Sequence, residues 1–304
     1  MGSLDTMKSM RAMNSVWDDK LEQLLAEESL PAAYRQLVET WLLPLADWLS
    51  RHPREPGRPL LVGVHGAQGT GKTTLCRVLG LLLAQENWRA LTLSLDDFYF
   101  SRAKRRQLAR DIHPLLITRG VPGTHDIELL MQTLDKLTAA ETVSLPCFNK
   151  ATDDCEPASA WPRVGGERDI IFLEGWCVGC RPVAESALEL PMNTLEAEED
   201  TDGSWRARVN ACLAGEYAEL FQRLDALVML KAPSMEQVVE WRCLQESKLA
   251  KRGGGRAVMS IPEIQRFVQH YERISRHALA EMPAWADYLL ELGLDHGIIA
   301  AHSA

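Results

Sequence analysis

Residues 60–76 read Leu-Leu-Val-Gly-Val-His-Gly-Ala-Gln-Gly-Thr-Gly-Lys-Thr-Thr-Leu-Cys. The apolar run Leu60, Leu61, Val62 and Val64 leads straight into Gly66-x-x-Gly69-x-Gly71-Lys72-Thr73, and an apolar helical pattern follows. This is the G-x-x-x-x-G-K-[ST] spacing, in the strand-to-helix setting that gives it meaning. A loop that wraps a triphosphate must turn tightly and aim backbone N–H groups inward. Gly66 and Gly71 permit that, because glycine tolerates positive φ and close backbone approach. The helix beginning near Gly71 points its positive end at the same phosphates. Gly66, Ala67, Gln68, Gly69, Thr70, Gly71, Lys72, Thr73 and Thr74 are therefore read as a nucleoside triphosphate (ATP) site. Lys72 would reach the β- and γ-phosphates and the Thr73 hydroxyl would sit on Mg2+. The competing reading, a Gly-rich strand-to-helix turn, is disfavoured by the flanking pattern.

Outward from this loop, the following helix runs to about Gln85 with Leu75, Val78, Leu79 and Leu82 on one side. Ala90–Leu95 alternates as a second strand and ends at Asp96-Asp97-Phe98-Tyr99. The basic stretch 102–110 reads as a solvated helix face, with a field that draws in anionic substrate as the alternative. Thr124 or Asp126 is placed to cap a helix carrying Ile127, Leu130, Leu134 and Leu137. Asp169–Gly175 and Ala226–Lys231 are buried-type strands, and Asp287–Leu292 reads as the closing strand. Strands alternating with helices predict an α/β fold, a doubly wound and mostly parallel sheet. Before it, residues 14–51 read as two helices, so 1–58 is an N-terminal helical extension to a domain spanning 59–304. Residues 183–208 are acidic (Glu196, Glu198, Glu199, Asp200, Asp202) and are expected to form an irregular surface insertion.

At 304 residues the chain can bury a large core, and its 46% hydrophobic and 25% charged content is ordinary for a soluble globular protein. A net charge of −9 argues against a nucleic-acid or anionic-membrane surface. No apolar run approaches the roughly 20 residues that span a bilayer, and no signal-peptide segment is recognised, so a cytoplasmic location is expected. Seven cysteines with no evident disulfide framework agree with a reducing compartment. Cys177-Val-Gly-Cys180 lacks a second C-x-x-C and reads as two ordinary thiols rather than a redox or zinc pair.

In such a sheet, ligands sit beyond the carboxyl ends of the strands. The phosphate loop, Asp96-Asp97 and Glu174 all fall there. A phosphate-loop enzyme needs a carboxylate at a buried strand end to hold Mg2+, and Glu174 answers that need. Asp96 and Asp97 offer a second acidic function, either positioning an attacking hydroxyl or capping the next helix. A self-contained small-molecule kinase carries its own cationic lid. Arg242, Lys248, Lys251, Arg252 and Arg256 suit that role, in a candidate lid over about 234–256 whose helix runs from about Ser234 to Lys251 and ends at Gly253-Gly254-Gly255. The alternative is a solvated helix end with basic residues favoured by its dipole.

Together, the phosphate loop, Ser94-Leu-Asp-Asp-Phe-Tyr99, Arg119-Gly-Val-Pro-Gly-Thr-His-Asp126 and Phe172-Leu-Glu-Gly-Trp176 resemble the phosphoribulokinase, uridine kinase and pantothenate kinase group. Trp241-Arg-Cys-Leu-Gln-Glu-Ser-Lys-Leu249 and Arg266-Phe-Val-Gln-His-Tyr-Glu-Arg273 are similar to its D-glycerate 3-kinase branch. The resemblance implies an ATP- and Mg2+-dependent kinase with Asp96 as the base for the acceptor hydroxyl and Glu174 on the metal. It further implies an acceptor pocket lined by Tyr99, Arg119, His125 and Lys150, with Asp97 assigned beside them, and a lid bearing Arg242 and Lys248. One departure stands out. Where the family has Tyr/Phe-Asp-Lys and a nearby arginine, this chain has Phe148-Asn149-Lys150 and Cys155, losing a carboxylate and a cation near the acceptor. The leading expectation is phosphoryl transfer to a small hydroxy acid, D-glycerate first. The rivals are a kinase for a nucleoside, pantothenate or another hydroxy acid, and a nucleotide-dependent regulatory module without an acceptor.

Overall fold

The computed structural model describes residues 17–251 and 259–303, the side chains of 245 and 248–251 excepted. Its centre is β1 (Leu60–Gly66), every residue of which is buried. Apolar side chains on both faces suit a strand that parallel neighbours flank and helices cover. The remaining elements in chain order are α1 (17–27), α2 (Tyr34–Leu37), α3 (Leu43–Ser50), α4 (Lys72–Gln85), β2 (Ala90–Ser94), α5 (Arg102–Asp111) and α6 (Ile127–Thr138). Short strands β3 (Val143–Ser144), β4 (Phe148–Asn149), β5 (Asp154–Cys155) and β6 (Arg163–Val164) precede β7 (Ile170–Gly175). Then come α7 (Thr194–Glu199), α8 (Ser204–Ala214), α9 (Glu216–Phe221), β8 (Ala226–Lys231), α10 (Met235–Lys251), α11 (Ile261–Glu281), β9 (Tyr288–Leu292) and β10 (Ile298–Ser303).

The main sheet runs β10-β9-β8-β1-β7-β2. Neighbours from β9 to β2 pair in parallel, and β10 returns antiparallel on the outer edge. β10 was not expected from the sequence: none of its residues is fully buried, and the turn Gly293–Gly297 that creates it closes through a Gly293 N–H bond to the Gly297 carbonyl. Register is what matters for the site. Val64 of β1 and Ser94 of β2 both stand opposite Glu174 of β7. The phosphate loop, Glu174 and Asp96 therefore emerge side by side from three adjacent strand ends.

Alternation along the strands splits the core in two. Leu60, Val62, Val64 and Phe172 face α4 and the N-terminal helices, whereas Leu61, Ile171 and Leu173 face α6, α8, α9 and α11. The apolar residues of α1 (Leu21, Leu24, Leu25), of the turn before α3 (Leu42) and of α3 (Leu45, Leu49) are buried in the same cluster as β1 and α4. Residues 17–50 thus differ from the α/β region in architecture while sharing its core. Between α2 and α3 the helix widens into a π turn over Val38–Leu42, where Pro44 cannot donate to the carbonyl one turn back.

Two surface expectations are corrected. The segment 183–208 is largely helical, and two of its carboxylates are interior. Glu196 takes Arg273, and Asp200 takes Arg206 together with the N–H groups of Trp205 and Arg206 that open α8. Buried charges persist only when paired in this way. In the basic helix α5, Arg105 is 1% exposed and donates to the carbonyls of Phe100, Ile117 and Asp153, so that face is not uniformly solvated. Of the two candidate caps, Asp126 accepts the Leu129 N–H, while the Thr124 hydroxyl ties Gly120 to Val121. Among the described residues no helix is long and apolar enough to cross a membrane.

Candidate active site

Gly69 and Gly71 adopt φ of 84° and 88°, the left-handed region that the tight loop requires. A Cβ on Gly66 would come 2.5 Å from the Thr70 hydroxyl oxygen, so the first glycine is required for close approach instead. The loop is tied by Thr70, whose hydroxyl donates to the Ala67 carbonyl at 2.8 Å, and Lys72 Nζ donates to the same oxygen at 3.1 Å. Burial lowers the Lys72 ammonium from its ordinary range, while Glu174 and Asp96 work in the opposite direction. A cation in that condition is poised to gain from an anionic ligand.

The loop forms one wall of a cavity of about 470 Å³ into which Asp96, Arg119, Lys150, Glu174 and Arg242 also project. The Thr73 hydroxyl donates to Glu174 Oε1 at 2.9 Å. Two hard oxygen donors this close, beside a phosphate loop, are a donor set that would suit Mg2+. The residues fit the ion.

Asp96 accepts the Tyr99 hydroxyl on Oδ1 at 2.6 Å and Lys150 Nζ on Oδ2 at 2.5 Å. Burial alone would raise this carboxyl. The Lys150 ammonium, helped by the Tyr99 hydroxyl and His125, outweighs it and brings the group down to about 2. Arg119 lies over the Phe148 ring and pairs with Asp153. Its loop is held from the other side: Trp176 Nε1 donates to the Gly120 carbonyl and Tyr271 to the Arg119 carbonyl, both at 2.7 Å.

Two expected acceptor residues lie elsewhere. Asp97 is outside the cavity wall and accepts the Phe148 N–H at 3.3 Å; burial raises its carboxyl. His125 is fully buried behind Tyr99, ring on ring at 4.7 Å, with Nδ1 on the Tyr217 hydroxyl, and burial lowers it to about 4. It buttresses Tyr99 as a neutral ring. Arg242 lines the cavity over Phe267 and pairs with Glu246 one turn on. The Lys248 and Lys251 side chains, with Arg252, Arg256 and the three glycines, lie outside the described residues.

The departure at Phe148-Asn149-Lys150 has a structural account. Asn149 Oδ1 accepts the Ala151 and Thr152 N–H groups, and its Nδ2 donates to Glu156 at 2.7 Å. An aspartate there would set two carboxylates against each other. Cys155 donates its thiol to the Tyr99 carbonyl. Both residues support the hairpin and Tyr99 from outside the cavity wall. Cys177 and Cys180 are buried with thiols pushed up by that burial, which keeps them protonated and unreactive.

Sequence reasoning missed Trp241 and His296, which stack at 4.0 Å between ring centroids on the cavity wall, Trp241 against Gly69. The signal for Glu246 was present: it stands four residues after Arg242. His296 gave none, because its place depends on the unexpected β10 hairpin.

No protein-family profile matches the chain. It is 34% identical over 235 residues to the uncharacterised kinase mug58 of Schizosaccharomyces pombe, spanning 74% of this chain and 82% of that one. It is 30% identical to the chloroplastic D-glycerate 3-kinase of Arabidopsis thaliana over 76% of its own length and 48% of the relative's. The structure superposes on D-glycerate 3-kinase from Cryptococcus neoformans with a TM-score of 0.71 at 26% identity, covering 90% of this chain and all of the other. The chain belongs to the D-glycerate 3-kinase-like branch of the phosphate-loop kinases that include uridine kinase and pantothenate kinase, and it is an ATP-dependent small-molecule kinase.

Proposed function

We propose that this kinase moves the γ-phosphoryl group of ATP to a hydroxyl of a small hydroxy acid, D-glycerate first. The observation that carries the reading is one cavity lined by the phosphate loop, by the Asp96 carboxylate with Lys150 Nζ on it, and by Arg119. A buried carboxylate needs such a partner. The name of the relatives at 30% and 26% identity supports the same acceptor.

In this reading the backbone of residues 66–72 cradles the phosphates, and Lys72 reaches the β- and γ-oxygens. Thr73 and Glu174 would hold Mg2+, which supplies charge neutralisation across those oxygens. Asp96 orients the acceptor hydroxyl in line with the γ-phosphorus. A new P–O bond forms to that oxygen, the bond to the β–γ bridging oxygen breaks, the hydroxyl proton passes to Asp96, and ADP departs. Because the transition state is loose, positioning of the hydroxyl by Asp96 matters more than early proton removal. Arg242 closes over the phosphates from α10.

The test is ADP release with MgATP across D-glycerate, other hydroxy acids, nucleosides and pantothenate. D-glycerate is expected to give the highest kcat/KM. Preference for a nucleoside or pantothenate overturns the acceptor, and ATP binding without acceptor-stimulated release overturns the reading as a whole.

A further inference from the structure

We propose that Lys150 is a removable cover on Asp96 and that the acceptor's own carboxylate removes it, so that the base is uncovered only by a substrate carrying both a carboxylate and a hydroxyl. This rests on the acceptor class proposed above and adds how the site selects it.

Both oxygens of Asp96 are engaged, yet their partners differ in mobility. Tyr99 is buried, its ring packed on His125 and edge-on to Phe148, and its carbonyl takes the Cys155 thiol. It cannot leave Oδ1. Lys150 reaches Oδ2 from a side chain that is 52% exposed. The turn beneath it is pinned by the Asn149 bonds and by Asp153, which Arg105 and Arg119 hold. A fixed backbone below a long exposed side chain lets the ammonium swing without moving the loop.

The other cations at this end of the cavity are committed. Arg119 is paired with Asp153 and lies over Phe148, and Arg242 is paired with Glu246. An entering carboxylate that draws Lys150 away exchanges one ion pair for another at the ammonium, and Asp96 keeps the Tyr99 hydroxyl on Oδ1. The same movement vacates Asp96 Oδ2 for the acceptor hydroxyl. A neutral polyol offers only the hydroxyl. It must displace a charge-assisted hydrogen bond without replacing it, a handicap of roughly 10–100-fold.

The experiment compares kcat/KM for D-glycerate and for glycerol at saturating MgATP, in the wild-type chain, in Lys150→Met and in Lys150→Arg. Thermal shift with ATP confirms that each variant is folded and binds nucleotide. The wild type is expected to favour the acid by roughly 10–100-fold or more. Lys150→Met is expected to raise the KM for D-glycerate tenfold or more and to raise glycerol kcat/KM severalfold or more, collapsing the preference; a glycerol kcat/KM that does not rise overturns the cover. Lys150→Arg is expected to keep most of it. An unchanged acid-to-polyol ratio in Lys150→Met, or loss of both activities with ATP binding intact, overturns the cover. If the wild type turns over no hydroxy acid at all, the proposed acceptor class falls, and the cover falls with it.

Discussion

Replacing Lys72 with Met separates what the phosphate loop does for the ligand from what it does for the fold. Methionine keeps the length of the side chain and its packing while deleting the ammonium. In the absence of ligand that ammonium is already disfavoured by desolvation, and its one backbone contact is to the Ala67 carbonyl at 3.1 Å. That carbonyl also takes the Thr70 hydroxyl and N–H, so the substitution leaves no acceptor orphaned. Lys72 is only half-buried at the cavity floor, so charge deletion is worth no more than about 1 kcal/mol in either direction. The ligand-free melting temperature is expected to move by no more than about 2–4 °C. ATP binding behaves differently. A charge-assisted contact to phosphate contributes about 1.5–3 kcal/mol, so Kd rises roughly 10–100-fold. At an ATP concentration about 100 times the wild-type Kd, ligand stabilisation falls from about 2.7 to about 0.4–1.4 kcal/mol. Thermal melts with and without MgATP, checked by calorimetric titration, measure both quantities. A ligand-free destabilisation well beyond 4 °C, or an undiminished ATP shift, refutes the assignment.

Glu174→Gln keeps the bond to Thr73 in shape but removes the charge; the Mg2+ concentration for half-maximal rate is expected to rise roughly 10-fold or more, read from a metal titration at fixed ATP. Asp153→Asn keeps a residue type that tolerates the φ of 55° at the hairpin turn yet strips the charge between Arg105 and Arg119. Because Asp153 is about a third exposed, a loss of about 1–2 kcal/mol in urea unfolding is expected, with D-glycerate KM raised more than ATP KM. Stability is expected to fall in mild acid through the buried imidazoles. Burial lowers His65 to about 3 and both His125 and His270 to about 4. The unfolded chain protonates these rings near 6.5 and the folded chain does not. Stability is therefore complete above pH 6.5 and declines toward pH 4 at about 1.4 kcal/mol per unit for each ring. Unfolding at pH 7 and pH 5 should differ by about 2 kcal/mol per ring, and equal stabilities at the two values contradict that burial.

The architecture was legible because its determinants are local. Leu60–Val64, Ala90–Leu95 and Phe172-Leu-Glu174 announce strands by composition, and the phosphate loop by spacing. Once the strands are parallel, their carboxyl ends must share an edge, and that places Asp96 and Glu174 beside Lys72. What stayed hidden depends on contacts between residues far apart in the chain. Composition cannot distinguish a solvated glutamate from Glu196, whose partner Arg273 lies 77 residues on. His125 and Asp97 sit in the motifs that carry the family resemblance, and the structure uses both to support the site from behind rather than to line it. Sequence places Lys150 in the acceptor pocket, and the folded hairpin adds that its ammonium rests on Asp96. Asn149 reads in sequence as a carboxylate lost beside the acceptor, and its reason is Glu156, the partner of its amide across the hairpin.

The central claim is that Asp96 serves an acceptor hydroxyl across from a bound triphosphate. Phosphorus NMR of MgATP incubated with D-glycerate, using the wild-type chain and Asp96→Asn, tests it most directly. The account predicts a phosphoglycerate resonance growing with ADP in the wild type, and a rate lower by roughly 10²–10⁴-fold in Asp96→Asn with ATP affinity retained. Phosphoglycerate formed at a near-normal rate by Asp96→Asn would contradict it.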